Sequence, residues 1–281
     1  INKIIIRSPN WVGDVVMATP AFRCIRENFP DAIITLALKS YIQKLIEGAP
    51  WFDKLFLLDS KDRLPGGAQY FPVVKHIRAQ KYDLGFLFPN SFSSAFMFWL
   101  GGVKRRVGYK RDARAWFLTD GINRLYENGH FFPTYMGDYY LRLCTAVGCE
   151  VQSKDLALFI TENGRRRVDE IFGKYHLDGC RPLILLNPGA AYGSSKCWTA
   201  EGFARTADII SDQLDCTIAI VCAPHETKLA MAIEQAAKSK LINLANQIIS
   251  LDVLNALIQR CALLITVDSG PRHIAVAFKK P

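Results

Sequence analysis

The sequence predicts an α/β protein built from two Rossmann-like domains. Short, nearly continuous apolar runs of strand length alternate with longer segments of helical periodicity along the chain. This alternation indicates parallel sheets that are covered by helices on both faces. It is interrupted by a charged stretch at about residues 161–182 and then starts again. Two such blocks in tandem are typical of two Rossmann-like domains.

The first block opens with a strand and continues as alternating helices and strands. Phe22, Ile25 and Phe29 recur at helical spacing after the first strand, and a short helix that ends at Gly48 follows the second strand. The basic stretch at 103–116 is predicted to be a loop. The predicted strands are KIIIRS, AIITLAL, KLFLLD and DLGFLFP, and the predicted helices are ATPAFRCIRENF, YIQKLIEGA, FPVVKHIRAQKY, SSAFMFWLGG and YMGDYYLRLCTAVGC.

The second block repeats the pattern, so the predicted domains are residues 1–165 and 180–281. The chain begins without methionine and stops where a further strand would follow, from which we expect the second domain to be incomplete and the natural protein to be longer. The predicted strands are PLILLN, CTIAIVC, LINLA and ALLITVD, and the predicted helices are ENGRRRVDEIFGKYH, AEGFARTADIISDQL, ETKLAMAIEQAAK, LDVLNALIQRC and PRHIAVAF.

Composition restricts the class of protein and its location. The 281 residues carry a formal charge of +9, which favours nucleic acid, anionic lipid or phosphorylated small molecules as partners, although a solvated basic surface is an equally good interpretation. None of the eight cysteines forms a C-x-x-C pair, so they indicate buried thiols in a reducing compartment. Without a signal peptide or an apolar run of membrane-spanning length, we expect a cytoplasmic protein whose membrane association, if any, is peripheral.

Ligands bind beyond the carboxyl ends of the strands in open α/β sheets, so the strand-to-helix loops should carry the chemistry. The first such loop is SPNWVGDVV, in which Asp14 follows Gly13 at the start of a helix. One interpretation of Asp14 is an N-cap carboxylate. The other is a general base that faces a cleft and takes a proton from an attacking hydroxyl.

Two loops of the second block have residues suited to a nucleotide. NPGAAYGSSKCW places Ser194, Ser195 and Lys196 before a helix, where hydroxyls, backbone amides and a cation suit phosphate oxygens, although an ordinary long loop is the alternative. In VCAPHETKLA, Glu226 opens a helix. It either complements the helix dipole or binds the sugar hydroxyls of a nucleotide.

The last loop, TVDSGPRHIAVAF, joins a buried strand to a helix. Asp268, Ser269, Gly270 and His273 all lie on this one turn, and the helix N-terminus offers free amides to an anion. Helix capping by Asp268 and a core position for His273 are the alternatives. Pro271 is suited to the first helical position.

The basic segment KRRVGYKRDARAW also admits more than one partner. Its cations and its aromatic residues, Tyr109 and Trp116, suit nucleic acid, an anionic lipid-linked sugar at a membrane surface, or a solvated face. The candidate acceptor-binding residues are Asn90, Arg105, Arg106, Lys110, Arg111 and Arg114.

Several classes are disfavoured by missing motifs. The chain has no G-x-G-x-x-G, G-x-x-x-x-G-K-[ST], H-E-x-x-H or G-x-S-x-G, which argues against a typical dinucleotide dehydrogenase, a P-loop enzyme, a zinc protease and an α/β-hydrolase. Its histidines are scattered and do not suggest a metal site.

Four stretches together resemble the ADP-heptose:lipopolysaccharide heptosyltransferase family, and its heptosyltransferase II branch most of all. They are SPNWVGDVVMATPAF, FPNSFSSAFMFWLGGVKRRVGY, NPGAAYGSSKCW and DSGPRHIAVAF, which run from the first strand to the end of the chain. Where the family more often has DSGLMH, this chain has DSGPRH, with Pro271 and Arg272 as the departure.

The resemblance implies a GT-B fold, in which the N-terminal domain binds the acceptor, the C-terminal domain binds the nucleotide sugar and a central cleft separates them. It implies inverting transfer of heptose from ADP-heptose to the lipopolysaccharide inner core, with no metal, no cofactor and no nucleic-acid partner. The family's catalytic aspartate matches Asp14 and its phosphate-facing lysine matches Lys196. The nucleotide-site residues match Glu226, Asp268, Gly270 and His273. Alternatives are another sugar-nucleotide transferase or an epimerase of the same fold, a basic nucleic-acid-binding protein, and an inactive scaffold.

Overall fold

The computed structural model describes residues 1–58, 70–127, 130–177, 181–189 and 198–281. The backbone contacts divide the chain into two compact units. The first comprises residues 1–43 and 49–156, and the second comprises residues 44–48 and 157–281. The sequence had placed the end of the first domain at residue 165. The division falls earlier because the helix that starts at Glu162 packs against a helix of the second unit, Leu251–Arg260.

A six-stranded parallel sheet with the strand order β3-β2-β1-β4-β5-β6 forms the centre of the first unit. This is the doubly wound Rossmann order. The strands are β1 (Lys3–Arg7), β2 (Ile33–Leu38), β3 (Lys54–Leu57), β4 (Leu84–Leu87), β5 (Arg105–Tyr109) and β6 (Asp120–Ile122). A two-stranded antiparallel pair, β7 (Tyr126–Glu127) and β8 (His130–Phe131), follows them in the chain.

In the described part of the first unit, six helices follow strands along the chain. Apart from Ile33 at the start of β2, the apolar residues of β1, β2, β4 and β5 are almost fully buried, as expected for a sheet covered on both faces. The helices are α1 (Val12–Met17), α2 (Thr19–Asn28), α3 (Ser40–Ile46), α4 (Tyr70–Gln80), α5 (Phe92–Leu100) and α6 (Met136–Thr145).

The break between α1 and α2 has a local chemical cause. Pro20 has no N–H to donate to the carbonyl oxygen of Val16. The Thr19 hydroxyl donates to that oxygen instead, at 2.7 Å. Because of this break, α1 is a separate helix of six residues.

The second unit has a four-stranded parallel sheet with the strand order β11-β10-β9-β12, again with the first strand beside the fourth. Its core lies between β9, β10, α8 and α9 and includes Leu186, Phe203 and Ile220. The elements are α7 (Glu162–Tyr175), β9 (Leu183–Asn187), α8 (Ala200–Gln213), β10 (Thr217–Ile220), α9 (Thr227–Ala236), β11 (Ile242–Asn243), α10 (Leu251–Arg260), β12 (Leu263–Thr266) and α11 (Gly270–Ala277).

Two of the compositional observations can be followed in the structure. In the part of the chain that the structure describes, no helix is both long and apolar enough to cross a membrane. Cys24, Cys144, Cys149, Cys216, Cys222 and Cys261 are free thiols.

Candidate active site

In the first unit, the residues of interest follow the two strands at the point where the strand order reverses. β1 pairs in parallel with both β2 and β4, so the crevice beyond β1 and β4 is the expected ligand position of this sheet. Asp14 lies in the helix after β1, and Asn90 lies in the loop after β4. The topology therefore brings these two segments to the same edge of the sheet.

Asp14 is the third residue of α1 and does not cap that helix. Trp11 is the N-cap residue and makes no side-chain capping bond, so the interpretation of Asp14 as an N-cap is wrong. Gly13 lies inside α1 as well, with no tight turn at this residue. The Asp14 side chain is half-buried, and burial raises its pKa above the ordinary value because a low-dielectric environment disfavours the charged form. A carboxylate with a raised pKa is a better proton acceptor.

Arg7, which was not identified from the sequence, holds the loop in front of Asp14. Its guanidinium is buried and donates to the carbonyl oxygen of Ser8 at 2.5 Å and to Oδ1 of Asn10 at 2.6 Å. The Tyr41 hydroxyl donates to the carbonyl oxygen of Asn10. Burial lowers the pKa of Arg7 to about 10, so the side chain stays charged at neutral pH. The signal in the sequence was a lone arginine at the end of an apolar strand.

In the second unit, where the sequence predicts the nucleotide site, Gly189 and Glu226 are in direct contact. A Cβ atom at position 189 would lie 2.0 Å from the carboxyl carbon and both carboxyl oxygens of Glu226, so any side chain at this position would displace the carboxylate. Gly189 is the second residue after β9. Ser194, Ser195 and Lys196, which the sequence selected in the same loop, lie outside the described residues.

Glu226 ends a short 3-10 turn, Pro224–Glu226, and is itself the N-cap of α9. Its Oε2 accepts a hydrogen bond from the backbone N–H of Ala223 at 2.9 Å, and its Oε1 lies 3.6 Å from Nε2 of His225. The carboxylate is only 13% exposed. The structure thus gives Glu226 a local capping contact through one oxygen, and this contact fixes the direction of the carboxylate.

The loop between β12 and α11 is organised by Ser269, which is the N-cap residue, so Asp268 does not cap the helix. Gly270 is the first helical residue and Pro271 the second, one position later than expected. Asp268 pairs with Arg272 at 3.1 Å across one turn. Arg272, one of the departures from the family pattern, thus contacts a predicted nucleotide-site residue.

A series of hydrogen-bonded side chains connects this loop with the carboxyl ends of the central strands. The Ser269 hydroxyl lies 3.1 Å from the Thr266 hydroxyl, which donates to Oδ1 of Asn187 at 3.2 Å. Asn187 in turn donates to the carbonyl oxygen of Val221 at 2.9 Å. The ends of β9, β10 and β12 are held together in this way, at the switch point of the second sheet.

His273 is half-buried in the second turn of α11. Burial and the neighbouring Arg272 lower its pKa, and Asp268 partly opposes them. The imidazole is therefore neutral at pH 7 and can donate one hydrogen bond.

The basic segment is only partly the loop that the sequence predicted, since Arg105 and Arg106 belong to β5. Arg105 pairs with Asp120 at 2.7 Å. Arg106 is half-buried, and its guanidinium donates to the carbonyl oxygens of Val103, Lys104 and Phe117. Arg106 is thus engaged within the sheet, whereas the Arg105 side chain is still 44% exposed. Lys110 and Arg111 are also exposed, beyond the end of β5, and Arg111 lies 3.2 Å from Asp112.

Arg114 was predicted to bind an acceptor, and the structure contradicts this. The residue is fully buried, and its guanidinium donates to the carbonyl oxygens of Pro89 and Tyr109 and to Oδ1 of Asn90, the last at 3.1 Å. The Tyr139 hydroxyl donates to the same Asn90 oxygen at 3.1 Å. Burial lowers the pKa of Arg114 to about 10. Arg114 therefore connects the loop after β5 with the loop after β4, which contains Asn90, through hydrogen bonds.

Two further features of the basic segment are the backbone of its loop and the position of the Tyr109 ring. Asp112 and Ala113 both have left-handed backbones, with φ of 53° and 56°, an unfavourable conformation for residues with a side chain. Tyr109 is fully buried and stacks on Tyr139 at 3.8 Å, so it cannot stack on a base as the nucleic-acid interpretation requires.

Within the described ranges, no group of three or more His, Cys, Asp or Glu side chains is arranged to hold a metal ion.

Two parallel-sheet units in one chain, each with polar residues at its switch point, are the architecture expected of the GT-B fold. The sequence profile of glycosyltransferase family 9 (heptosyltransferase) matches residues 71–281. The chain belongs to this family and is a glycosyltransferase.

Individual relatives agree with this assignment. Lipopolysaccharide heptosyltransferase 2 of Escherichia coli is 25% identical over 99% of this chain and 81% of its own length. Lipooligosaccharide heptosyltransferase 2 of Campylobacter jejuni is 29% identical over 99% of this chain and 78% of its own length.

Solved structures share the fold. A family 9 glycosyltransferase from Veillonella parvula superimposes with a TM-score of 0.87 at 24% identity, covering 100% of this chain and 79% of its own. E. coli ADP-heptose LPS heptosyltransferase II superimposes with a TM-score of 0.79 at 23% identity, covering 99% of this chain and 83% of its own. The fold predicted from the sequence is confirmed.

Proposed function

We propose that this protein transfers heptose from ADP-heptose to the inner core of lipopolysaccharide, in the manner of heptosyltransferase II. The names of the full-length relatives support the donor and the acceptor class. The observation that carries the chemistry is Asp14, which lies half-buried at the switch point of the first sheet, does not cap its helix, and has a raised pKa.

Asp14 is the proposed general base. In a transfer with inversion, the acceptor hydroxyl attacks the anomeric carbon from the face opposite the leaving diphosphate. As the new C–O bond forms, the hydroxyl proton moves to a carboxylate oxygen of Asp14 and the ADP leaves with the electron pair of the broken bond. Burial makes this carboxylate more basic than an ordinary surface aspartate.

The leaving diphosphate needs stabilisation of its growing negative charge. We assign this role to Lys196, Ser194 and Ser195 and to the amides at the start of α11, beside Ser269 and Gly270. His273, which is neutral at pH 7, is suited to donate a hydrogen bond there. Glu226 and Asp268 are assigned to hydroxyls of the nucleotide sugar. In this proposal the reaction requires no metal ion or other cofactor.

The acceptor is anionic and lipid-borne, so the proposed partners on its side are exposed cations. Arg105, Lys110 and Arg111 remain candidates because their side chains reach solvent, whereas the half-buried Arg106 guanidinium donates to backbone carbonyl oxygens. With an acceptor of this kind, the proposed location is the cytoplasm, with peripheral association at the inner face of the inner membrane.

The test is release of ADP from ADP-heptose with two acceptors: lipid A that carries Kdo alone, and lipid A that carries Kdo and one heptose. Release with only the heptose-bearing acceptor is expected. Release with only the Kdo acceptor would reassign the protein to the heptosyltransferase I branch, and no release with either, from folded protein, would refute heptosyl transfer.

The role of Asp14 is tested in the same assay. Asp14→Asn should reduce turnover by about 10²–10⁴-fold, the usual contribution of a general base, while the circular dichroism spectrum is retained. Asp31→Asn, an exposed carboxylate outside the site, is the matched control and should have normal turnover. Full turnover of Asp14→Asn would exclude it as the base.

A further inference from the structure

The first unit has an aromatic surface on α5, whereas the solvent-facing side of a helix is ordinarily polar. We call it the aromatic face, and it consists of Phe92, Phe96 and Trp99 of α5 together with Trp116 and Phe117 of the 3-10 turn Ala115–Phe117, which comes after β5. The nine residues of α5 include no charged side chain. Surface helices of globular proteins normally carry charges on the side away from the core.

The rings of Phe92, Phe96, Trp99 and Phe117 form one continuous cluster that remains partly open to solvent, and Trp116 precedes Phe117 in the chain. Phe92 and Trp99 are each 46% exposed, and Trp116 is 92% exposed. Phe117 lies 5.2 Å from Phe92, 5.4 Å from Phe96 and 5.4 Å from Trp99, measured between ring centroids. Clustered exposed apolar surface of this kind marks an interaction site, whereas scattered single residues do not.

Positive charge is concentrated in the segment that contains this face. Residues 70–120 hold nine lysines and arginines against three aspartates, a net +6 of the chain's +9. Arg78 donates to the carbonyl oxygen of Leu100 at the end of α5, Lys104 follows α5 and is 70% exposed, and Lys110 and Arg111 precede Trp116. Exposed cations therefore flank the aromatic cluster along the chain on both sides.

We propose that the aromatic face docks on an anionic lipid bilayer. Tryptophan and phenylalanine next to lysine and arginine are typical of helices that lie in the plane of a membrane interface, where the rings enter the headgroup boundary and the cations contact lipid phosphates. A helix of nine residues is about 14 Å long and can lie in the interface without crossing the membrane.

The charge selects this occupant over two others. A second copy of the chain would bring the same positive segment against itself, which like-charge repulsion disfavours. A nucleic acid would use the basic residues together with Tyr109, but that ring is buried against Tyr139. An anionic bilayer complements both the rings and the cations.

Docking deepens the proposed function because a lipid-borne acceptor is reached in the plane of the membrane. Its test does not depend on that function, since vesicle binding is measured without donor or acceptor. Loss of transfer with normal vesicle binding would refute only the proposed function, and normal transfer to acceptor in detergent without vesicle binding would refute only the docking.

The experiment is co-sedimentation of the whole chain with vesicles of phosphatidylglycerol or of phosphatidylcholine. Binding is expected to phosphatidylglycerol and to weaken as salt rises from about 0.1 M to about 1 M, because the Debye length falls from about 10 Å to about 3 Å. Trp116→Ser should weaken partition about tenfold, a factor typical of losing burial of a large apolar side chain. Because Trp116 is nearly fully exposed, this variant should keep its fold.

Ile248→Ser removes an 83% exposed apolar side chain in the second unit and serves as the control, with binding unchanged. Equal binding of Trp116→Ser and the unaltered chain would overturn the proposal. Failure to bind phosphatidylglycerol would overturn it too. A dimer that Trp116→Ser dissociates, without vesicle binding, would make a second copy the occupant.

Discussion

Gly189→Ala is the most sensitive test of the nucleotide side, because it adds one methyl group directly against Glu226. The added Cβ would lie 2.0 Å from the carboxyl carbon and both carboxyl oxygens, whereas ordinary contact begins at 3.4 Å. The carboxylate must therefore retreat by about 1.4 Å or more. Glu226 has little freedom to do so, since Oε2 is held at 2.9 Å by the Ala223 N–H.

The expected consequence is weaker donor binding with a normal fold. A hydrogen bond to a charged group contributes about 1.5–3 kcal/mol, so losing the contact between Glu226 and a donor hydroxyl should raise the dissociation constant of ADP-heptose about ten- to a hundredfold. Isothermal titration calorimetry measures this directly. Gly173→Ala is the matched control, because a Cβ atom there meets nothing within 4 Å; donor binding should be unchanged and α7 slightly more stable.

A double-mutant cycle separates this mechanism from a general disturbance of the loop. If Gly189→Ala acts by moving the carboxylate, it should add almost nothing to the effect of Glu226→Ala. Fully additive effects, or unchanged donor affinity in folded Gly189→Ala, would refute the reasoning.

Three other predictions concern Asp14, Arg114 and Arg7. Burial raises the folded-state pKa of Asp14 above its unfolded value, so the stability linked to the protonated form is complete below the unfolded pKa of about 3.9 and is lost as pH rises through the folded pKa. Asp14→Asn should therefore be more stable than the unaltered chain in urea at pH 7. A less stable variant would contradict this sign. Arg114→Met removes the guanidinium that donates to the carbonyl oxygens of Pro89 and Tyr109 and should lower the free energy of unfolding by about 3–5 kcal/mol. The exposed Arg111→Met should change it by less than about 0.5 kcal/mol, and similar denaturation midpoints would refute the structural role of Arg114. Arg7→Met frees the loop before Asp14 and should lower kcat about tenfold or more with little change in donor KM, and an equal loss in both constants would argue against positioning.

The fold could be predicted from the sequence because its signals are local. Buried parallel strands require continuous apolar runs, as in Ile4–Ile6 and Leu183–Leu186, and such runs are visible without a structure. The strand β5 was missed because Arg105 and Arg106 open it and suggested a loop. Only its second half, Val107 to Tyr109, is buried.

The site could be predicted only where a general rule supplied the position. Asp14 follows the first strand of a doubly wound sheet, and that rule places it at the ligand edge. The direction of a long side chain follows no such rule. Arg111 and Arg114 are three positions apart in one basic segment, yet the first is exposed and the second is fully buried, because the carbonyl oxygens of Pro89 and Tyr109 lie beneath the loop and not on its surface.

The buried Arg114 has a consequence for which substitutions the neighbouring loop can accept. The loop at 110–113 keeps two left-handed residues, Asp112 and Ala113, without the help of glycine, and the guanidinium at 114 anchors its end to the sheet. The shape of the loop is thus determined by one inward-facing residue, while Lys110 and Arg111 point to solvent. Substitutions at these two positions leave the hydrogen bonds of the Arg114 guanidinium intact, so their charge and size can change without rebuilding the loop.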